Sequence, residues 1–253
     1  MSSIKPKRNS DKTYFFKDHP EFNPNLSPSE IFHLGSFGGT YWRPIYSRVT
    51  KKHYKDQHKK YPPSWWRGLS DNQLTNPWGN YDVSLNKYGK KVGTTLQFWE
   101  DKGWIKASHP YGWIQWYCDF FMGKRCDDDK RQIDRWLGLA GENGRFRKWL
   151  VTQILKQNGK YNDEHISPAI RQTLLHWGYV ITKADFDKEI KSRENPEKTK
   201  KEIMKKEEIM KKEEIMKKSK QNKKTRKSPQ KVKKGKTYTI YKKTVKKRKS
   251  SKK

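Results

Sequence analysis

Acidic residues are missing from the last 37 positions of the chain. From Lys217 to Lys253 there are 19 lysines and arginines and no aspartate or glutamate. Such a one-signed segment, poor in apolar residues, cannot offset the entropy of ordering and is expected to be disordered. Cysteine is almost absent: Cys118 and Cys126 are the only two. That excludes a disulfide framework and fits a reducing compartment. The seven residues between them are not a zinc-finger spacing. No apolar run approaches the roughly 18 residues of a membrane span. The N-terminal MSSIKPKRNSDK lacks the apolar stretch of a secretory signal, so the expected location is intracellular. P-loop, GxGxxG, GxSxG, HExxH and kinase motifs are all missing. No convincing alternation of period two is present, which leaves a mainly α fold.

Basic residues and tryptophan are abundant. Against 27 acidic residues stand 59 basic ones, for a net charge of +32. Subtracting the terminal 19 leaves 40 against 27, or +13, on residues 1–216. This balance points to a polyanionic partner, nucleic acid first and DNA before RNA; no membrane helix supports the alternative of a lipid surface. All 11 tryptophans lie between Trp42 and Trp177, a stretch long enough for one compact domain.

Local signals divide that stretch into helices. Ser27-Pro28-Ser29-Glu30 reads as a capping box with proline at the first helical position, and the helix should stop near Gly35. Residues 47–63 read as a loop or an exposed helix. Thr94 or Thr95 caps a short helix that Gly103 stops. Pro110 is expected to open the clearest helix, in which Trp113, Trp116, Tyr117, Phe120 and Phe121 share one face. Asp127-Asp128-Asp129 starts the next, with Ile133, Trp136, Leu137 and Ala140 inward. A further helix carries Phe146, Trp149, Leu150, Ile154 and Leu155, and Ser167-Pro168 begins the last. The predicted organisation is a basic arm over 1–13, a compact Trp-rich helical domain over 14–192, a Lys/Glu spacer helix over 193–218 and a disordered basic tail over 219–253.

The spacer repeats KKEIM, KKEEIM, KKEEIM. Six residues turn a helix by about 600°, so the Ile-Met pairs form no stripe and a coiled coil is not expected. Glu202→Lys206, Glu207→Lys211, Glu208→Lys212, Glu213→Lys217 and Glu214→Lys218 instead support an exposed helix through i,i+4 pairs.

The tail's candidate phosphate contacts are Lys223, Lys224, Arg226, Lys227, Lys231, Lys233, Lys234, Lys236, Lys242, Lys243, Lys246, Lys247, Arg248 and Lys249. Spaced cations of this kind neutralise phosphates without reading sequence. The alternative is an import address. In the domain, Arg43, Lys51, Lys52 and Arg131 are candidates for the same role. Gly38-Gly39 with Tyr41, Trp42 and Arg43 is either a tight turn that docks the first helix, the favoured reading, or a base-stacking element. Asp119, Arg125, Gln132 and Arg135 are the candidate catalytic residues: Asp119 pairs with Arg125 or Arg135 as a structural ion pair, or serves as a general base in a pocket. Convergence on one concave site would decide. Cys118 reads as a buried inert thiol. His53, Asp56 and His58 sit among lysines, so no metal is expected, and no cofactor.

FGGTYWRPI, GTTLQFWEDKGWI, HPYGWIQWYCDFFMGKRCDDDKRQIDRW and RQTLLHWGY, in that order, resemble a little-characterised Trp-rich family of bacteria, plants, fungi and giant DNA viruses. The resemblance covers about residues 20–180 and implies domain limits rather than an activity. His109-Pro110 stands where members often have Asp-Pro, which alters the helix cap. The repeat and basic tail look like an addition to the family core, and richness in Lys, Asn and Ile with short repeats is similar to giant-virus proteins. The resulting expectation is a nucleic-acid-binding protein, largely sequence-independent, in genome packaging or organisation of a large DNA virus, located in nucleus, viral factory or virion. Two alternatives stand beside it: a nucleic-acid-modifying enzyme tethered by its tail, and a virion structural protein.

Overall fold

The computed structural model describes residues 5–196 and, further on, 204, 205, 208, 209, 211–213, 215 and 216. The first compact unit runs Met1–Asn195. It is rich in helix, with two small two-stranded sheets.

Strands β1 (Lys7–Arg8) and β2 (Tyr14–Phe15) pair antiparallel, Lys7 opposite Phe15. Helix α1 (Pro28–His33) carries the expected capping box. The Ser27 hydroxyl accepts from the Glu30 N–H at 3.2 Å, and Glu30 accepts from the Ser27 N–H at 2.7 Å. The same carboxylate takes Arg8 at 2.8 Å and the Tyr14 hydroxyl at 3.1 Å. One acid thus closes a helix end and ties down the segment that the sequence marks as a basic arm. Gly35, at φ +93°, ends α1.

Residues 47–63 depart from expectation. β3 (Ile45–Ser47) and β4 (Lys52–Tyr54) form a hairpin, followed by a 3-10 turn over Gln57–Lys60. Three-residue strands are too short to display an alternating pattern. Gly38-Gly39 forms a tight turn, but the glycines pack on the segment from Asn72 to Asn86 and not on the first helix. A β-carbon on Gly39 would lie 1.8 Å from the Asn72 carbonyl oxygen, and one on Gly38 2.4 Å from the Tyr81 ring. Asn86 accepts from the Gly38 N–H at 2.7 Å, and Trp42 N–H donates to the Leu74 carbonyl at 2.8 Å. The connection after α2 (Asp71–Leu74) is thereby wrapped round the glycines.

Thr95 caps α3 (Leu96–Asp101) by accepting from the Phe98 N–H. Pro110 does not open α4, which spans Trp113–Phe121. A turn intervenes: Gly112 N–H donates to the His109 carbonyl at 2.8 Å, Gly112 takes φ +81°, and Gln115 reaches back to the Tyr111 N–H at 2.9 Å. Helices α5 (Asp129–Leu139), α6 (Arg145–Lys156), α7 (Pro168–His176) and α8 (Lys183–Glu194) complete the unit. α1 packs on α4, and α6 on α5, α7 and α8.

The core is aromatic, and several of its polar tips are matched, while the Trp42 and Trp113 indole N–H groups have no partner among the described residues. Trp116 donates to Asp129 at 2.8 Å, Trp136 to the Trp177 carbonyl at 2.8 Å, and Tyr117 to the Leu26 carbonyl at 2.7 Å. Phe22 packs against Trp116, Tyr117, Phe120 and Trp136. Edge-on and tilted ring pairs of this kind add to simple area burial. Among the described repeat residues, 204, 205, 208, 209, 211–213, 215 and 216 are helical and exposed, and Lys212 pairs with Glu208 at 2.6 Å. The tail residues from Lys223 to Lys249 lie outside the described residues.

Candidate functional site

A cavity of about 870 Å³ opens among the start of α4, α5, α7 and the connections around Arg43, Trp78 and Trp104. This is the upper part of the range for small-molecule sites. Its lining includes five tryptophans and four arginines (Arg43, Arg131, Arg135 and Arg145) and no carboxylate, lysine or cysteine. Trp78, Phe98 and Trp104 on this lining keep 37%, 40% and 41% of their surface exposed. Gathered on one lining, they form an exposed apolar patch of the kind that marks contact sites.

Arg135 on α5 carries the electrostatics. Its guanidinium lies 5.2 Å from the Trp177 ring and 5.6 Å from Trp104. Its side-chain hydrogen bond goes to a neutral oxygen, Gln132 Oε1, at 3.0 Å. The nearby Asp128 is engaged elsewhere. It takes both arms of Arg131, at 2.6 and 2.7 Å, and Gln132 Nε2 at 2.8 Å. Arg135 is half-buried with no carboxylate partner among the described residues. Burial, and then the charge of Arg131, pull its pKa down to about 10. An uncompensated guanidinium in such surroundings is costly, and an approaching anion relieves the cost.

Arg43 repeats the pattern elsewhere on the lining. It donates to the Thr40 carbonyl at 3.0 Å and lies 4.9 Å from the Trp78 ring, with burial lowering its pKa. Lys91 approaches Trp78 and Tyr81 at 5.3 and 4.7 Å. Arg145, at the first position of α6, is exposed and lies 5.0 Å from the Phe146 ring.

His176 ends α7 on the cavity lining, stacked on Phe37 at 3.8 Å between ring centroids. The Phe37 N–H donates to its Nε2 at 3.1 Å, and Gln172 Nε2 approaches the same atom at 3.1 Å. A nitrogen that accepts carries no proton, so the proton resides on Nδ1. Burial drives the pKa of the ring down to about 3, which keeps it neutral at physiological pH.

The sequence-nominated residues divide. Arg43, Arg131 and Arg135 meet at the cavity. Gln132 sits buried behind Arg135. Lys51 and Lys52 are exposed at the β3–β4 turn, off the lining. Asp119 and Arg125 neither pair with each other nor line the cavity. Arg125 is held by Asp18 at 2.6 and 3.1 Å and stacks 3.7 Å from the Phe120 ring. Asp119 takes Lys124 at 2.8 Å and His109 at 3.4 Å. Burial raises its pKa, but the hydrogen bonds from His109 and Lys124 outweigh this and hold it below the ordinary carboxylate value. The proposed convergence of Asp119, Arg125, Gln132 and Arg135 is therefore not observed. Arg145, Trp78 and His176 were missed: nothing local in the sequence separates them from surface or core residues.

Burial also pushes the Cys118 thiol well up, and that of Cys126 to about 11. Among the described residues no cluster of three His, Cys, Asp or Glu is placed to hold a metal, and no helix is long and apolar enough to cross a membrane. No family model matches the chain, and neither curated proteins nor solved structures yield a match.

Proposed function

We propose that this chain binds nucleic acid, with the Trp-rich helical domain as the recognition module and the basic C-terminal segment as the source of sequence-independent affinity. The observation that carries the reading is the cavity, in which exposed aromatic rings stand beside Arg43, Arg135 and Arg145, which pair with no carboxylate among the described residues. Aromatic faces stack on unpaired bases and guanidiniums hold phosphates, so the combination suits single-stranded segments better than a closed duplex. The 19 cations after residue 216 add counterion release.

The alternative of an enzyme has less support. The lining offers no carboxylate or thiol as a base, and the one imidazole on it has its lone pair occupied. Genome packaging in a large DNA virus remains consistent with the binding reading and rests on the sequence resemblance alone.

The test is binding to single- and double-stranded DNA and RNA across a salt series, with and without residues 217–253. Deletion should flatten the salt dependence while a preference for single strands persists. An unchanged slope would sink the role of the segment; equal binding of single and double strands by the shortened chain would sink that of the cavity.

A further inference from the structure

The strongest polar side-chain groups on the cavity lining, its arginines and His176, present donors. Arg135 and Arg43 spend one bond each on neutral oxygens and keep their remaining N–H groups. His176 holds its proton on Nδ1, which makes no hydrogen bond among the described residues. Trp113, on the same lining and only 8% exposed, has an indole N–H without a partner among the described residues, though that nitrogen is itself buried, as is the likewise unpartnered one of Trp42 off the lining. The Thr40 and Thr173 hydroxyls donate to the carbonyls of Phe37 and Ala169 and keep only acceptor capacity. Orphaned donors are rare in folded proteins and call for an explanation.

We propose that the cavity seats one nucleotide unit, its phosphate on the arginines, its ring against the exposed aromatic faces, and a keto oxygen of its base on the His176 Nδ1–H. The assignment rests on the nucleic-acid reading only for where that nucleotide comes from. The His176 Nδ1–H matches the 6-keto oxygen of guanine and hypoxanthine and the 4-keto oxygen of thymine and uracil. It opposes the exocyclic amino groups of adenine and cytosine, which present hydrogens to hydrogens. Sites of this kind discriminate strongly, because the wrong partner leaves a buried polar group unpaired. The stacked Phe37 keeps the imidazole plane fixed, and the two donors on Nε2 keep its tautomer fixed. The chain's own basic segment is repelled by such a lining and is not its occupant.

Inosine and adenosine 5′-monophosphates differ only on the edge at C6 and N1, keto with N1–H against amino with a bare N1, and test the assignment on the unaltered full chain. Tryptophan fluorescence and calorimetry at moderate salt should show the inosine nucleotide binding at least about tenfold tighter, a difference of about 1.4 kcal/mol. Inorganic phosphate and the free nucleoside should each bind far more weakly than the nucleotide. Arg135→Ala should weaken every nucleotide by about tenfold, with melting showing that the fold survives. Arg145→Ala, at an exposed rim position, should do so by less. Competition by uridine- or thymidine-rich single strands would identify the strand as the source. Binding of mononucleotides without such competition would leave this site standing as one for free nucleotides, and the nucleic-acid reading would fall. Equal or tighter binding of the adenosine nucleotide, or binding of strands untouched by Arg135→Ala with no mononucleotide binding, would overturn the assignment and leave strand affinity to the basic segment.

Discussion

Gln172 is fully buried, 0% exposed, and its replacement by leucine gives a sharp test of how the cavity wall is held. Its Oε1 accepts from the Tyr88 N–H at 2.9 Å, and its Nε2 donates to the Gly35 carbonyl at 3.1 Å beside His176. The side chain thus joins α7 to two connections far away in sequence. Leucine has similar volume and opens no large void, and it returns roughly 1 kcal/mol of apolar burial. Against this, the Tyr88 N–H loses its partner at about 1–3 kcal/mol, and the part-buried Gly35 carbonyl loses one of two donors, keeping the Lys87 N–H at 3.0 Å, at about 1 kcal/mol. The net loss is about 1–3 kcal/mol. For a unit of this size each kcal/mol moves Tm by about 2–4 °C, so melting should fall by roughly 2–12 °C. Urea unfolding followed by tryptophan fluorescence gives the free energy independently. A loss below about 1 kcal/mol would refute the reasoning that Gln172 is a structural hub.

Three further expectations follow from the same geometry. Gly39→Ala places a β-carbon 1.8 Å from the Asn72 oxygen at φ +75°, and should cost at least about 3 kcal/mol; a variant melting within about 2 °C of the parent would contradict it. Glu30, Asp18 and Asp128 are each raised by burial but held lower overall by their hydrogen bonds and cationic neighbours. Their stabilisation is present above their unfolded values and lost as pH falls through the folded ones, so Tm should drop steeply below about pH 4; a flat acid limb would refute this, and Glu30→Gln should weaken it. Cys118 and Cys126 should react slowly with a thiol-exchange reagent at pH 8 and rapidly in urea; fast labelling of the folded chain would show that the thiols are not shielded.

Much of the helical framework is legible in local sequence. Ser27 and Glu30 lie three residues apart, so their capping box can be read directly, and the same holds for Thr95, Ser167-Pro168 and the aromatic stripe of α4. The hairpin at 45–54 is not legible, since three-residue strands carry too little periodicity. The start of α4 is misplaced because Gln115 supplies the Tyr111 N–H with a partner that a proline signal does not reveal. The ion pairs fail for a different reason. Asp119 and Arg125 are close in sequence, yet Arg125 chooses Asp18, 107 residues away. The cavity is the extreme case: Phe37 and His176 meet across 139 residues, and Arg135 lies between Trp104 and Trp177. Composition raises arginine and aromatic residues as nucleic-acid contacts, while only tertiary structure shows which of them share a wall and which are already paired.

The most direct test of the central claim is the affinity of the full chain and of its Arg43→Ala/Arg135→Ala variant for a single-stranded oligonucleotide at about 0.3 M salt, where contacts from the basic segment are weakened. The cavity account predicts that the parent still binds and that the variant, folded by its melting curve, binds at least about tenfold more weakly. Equal affinity of the two would contradict it.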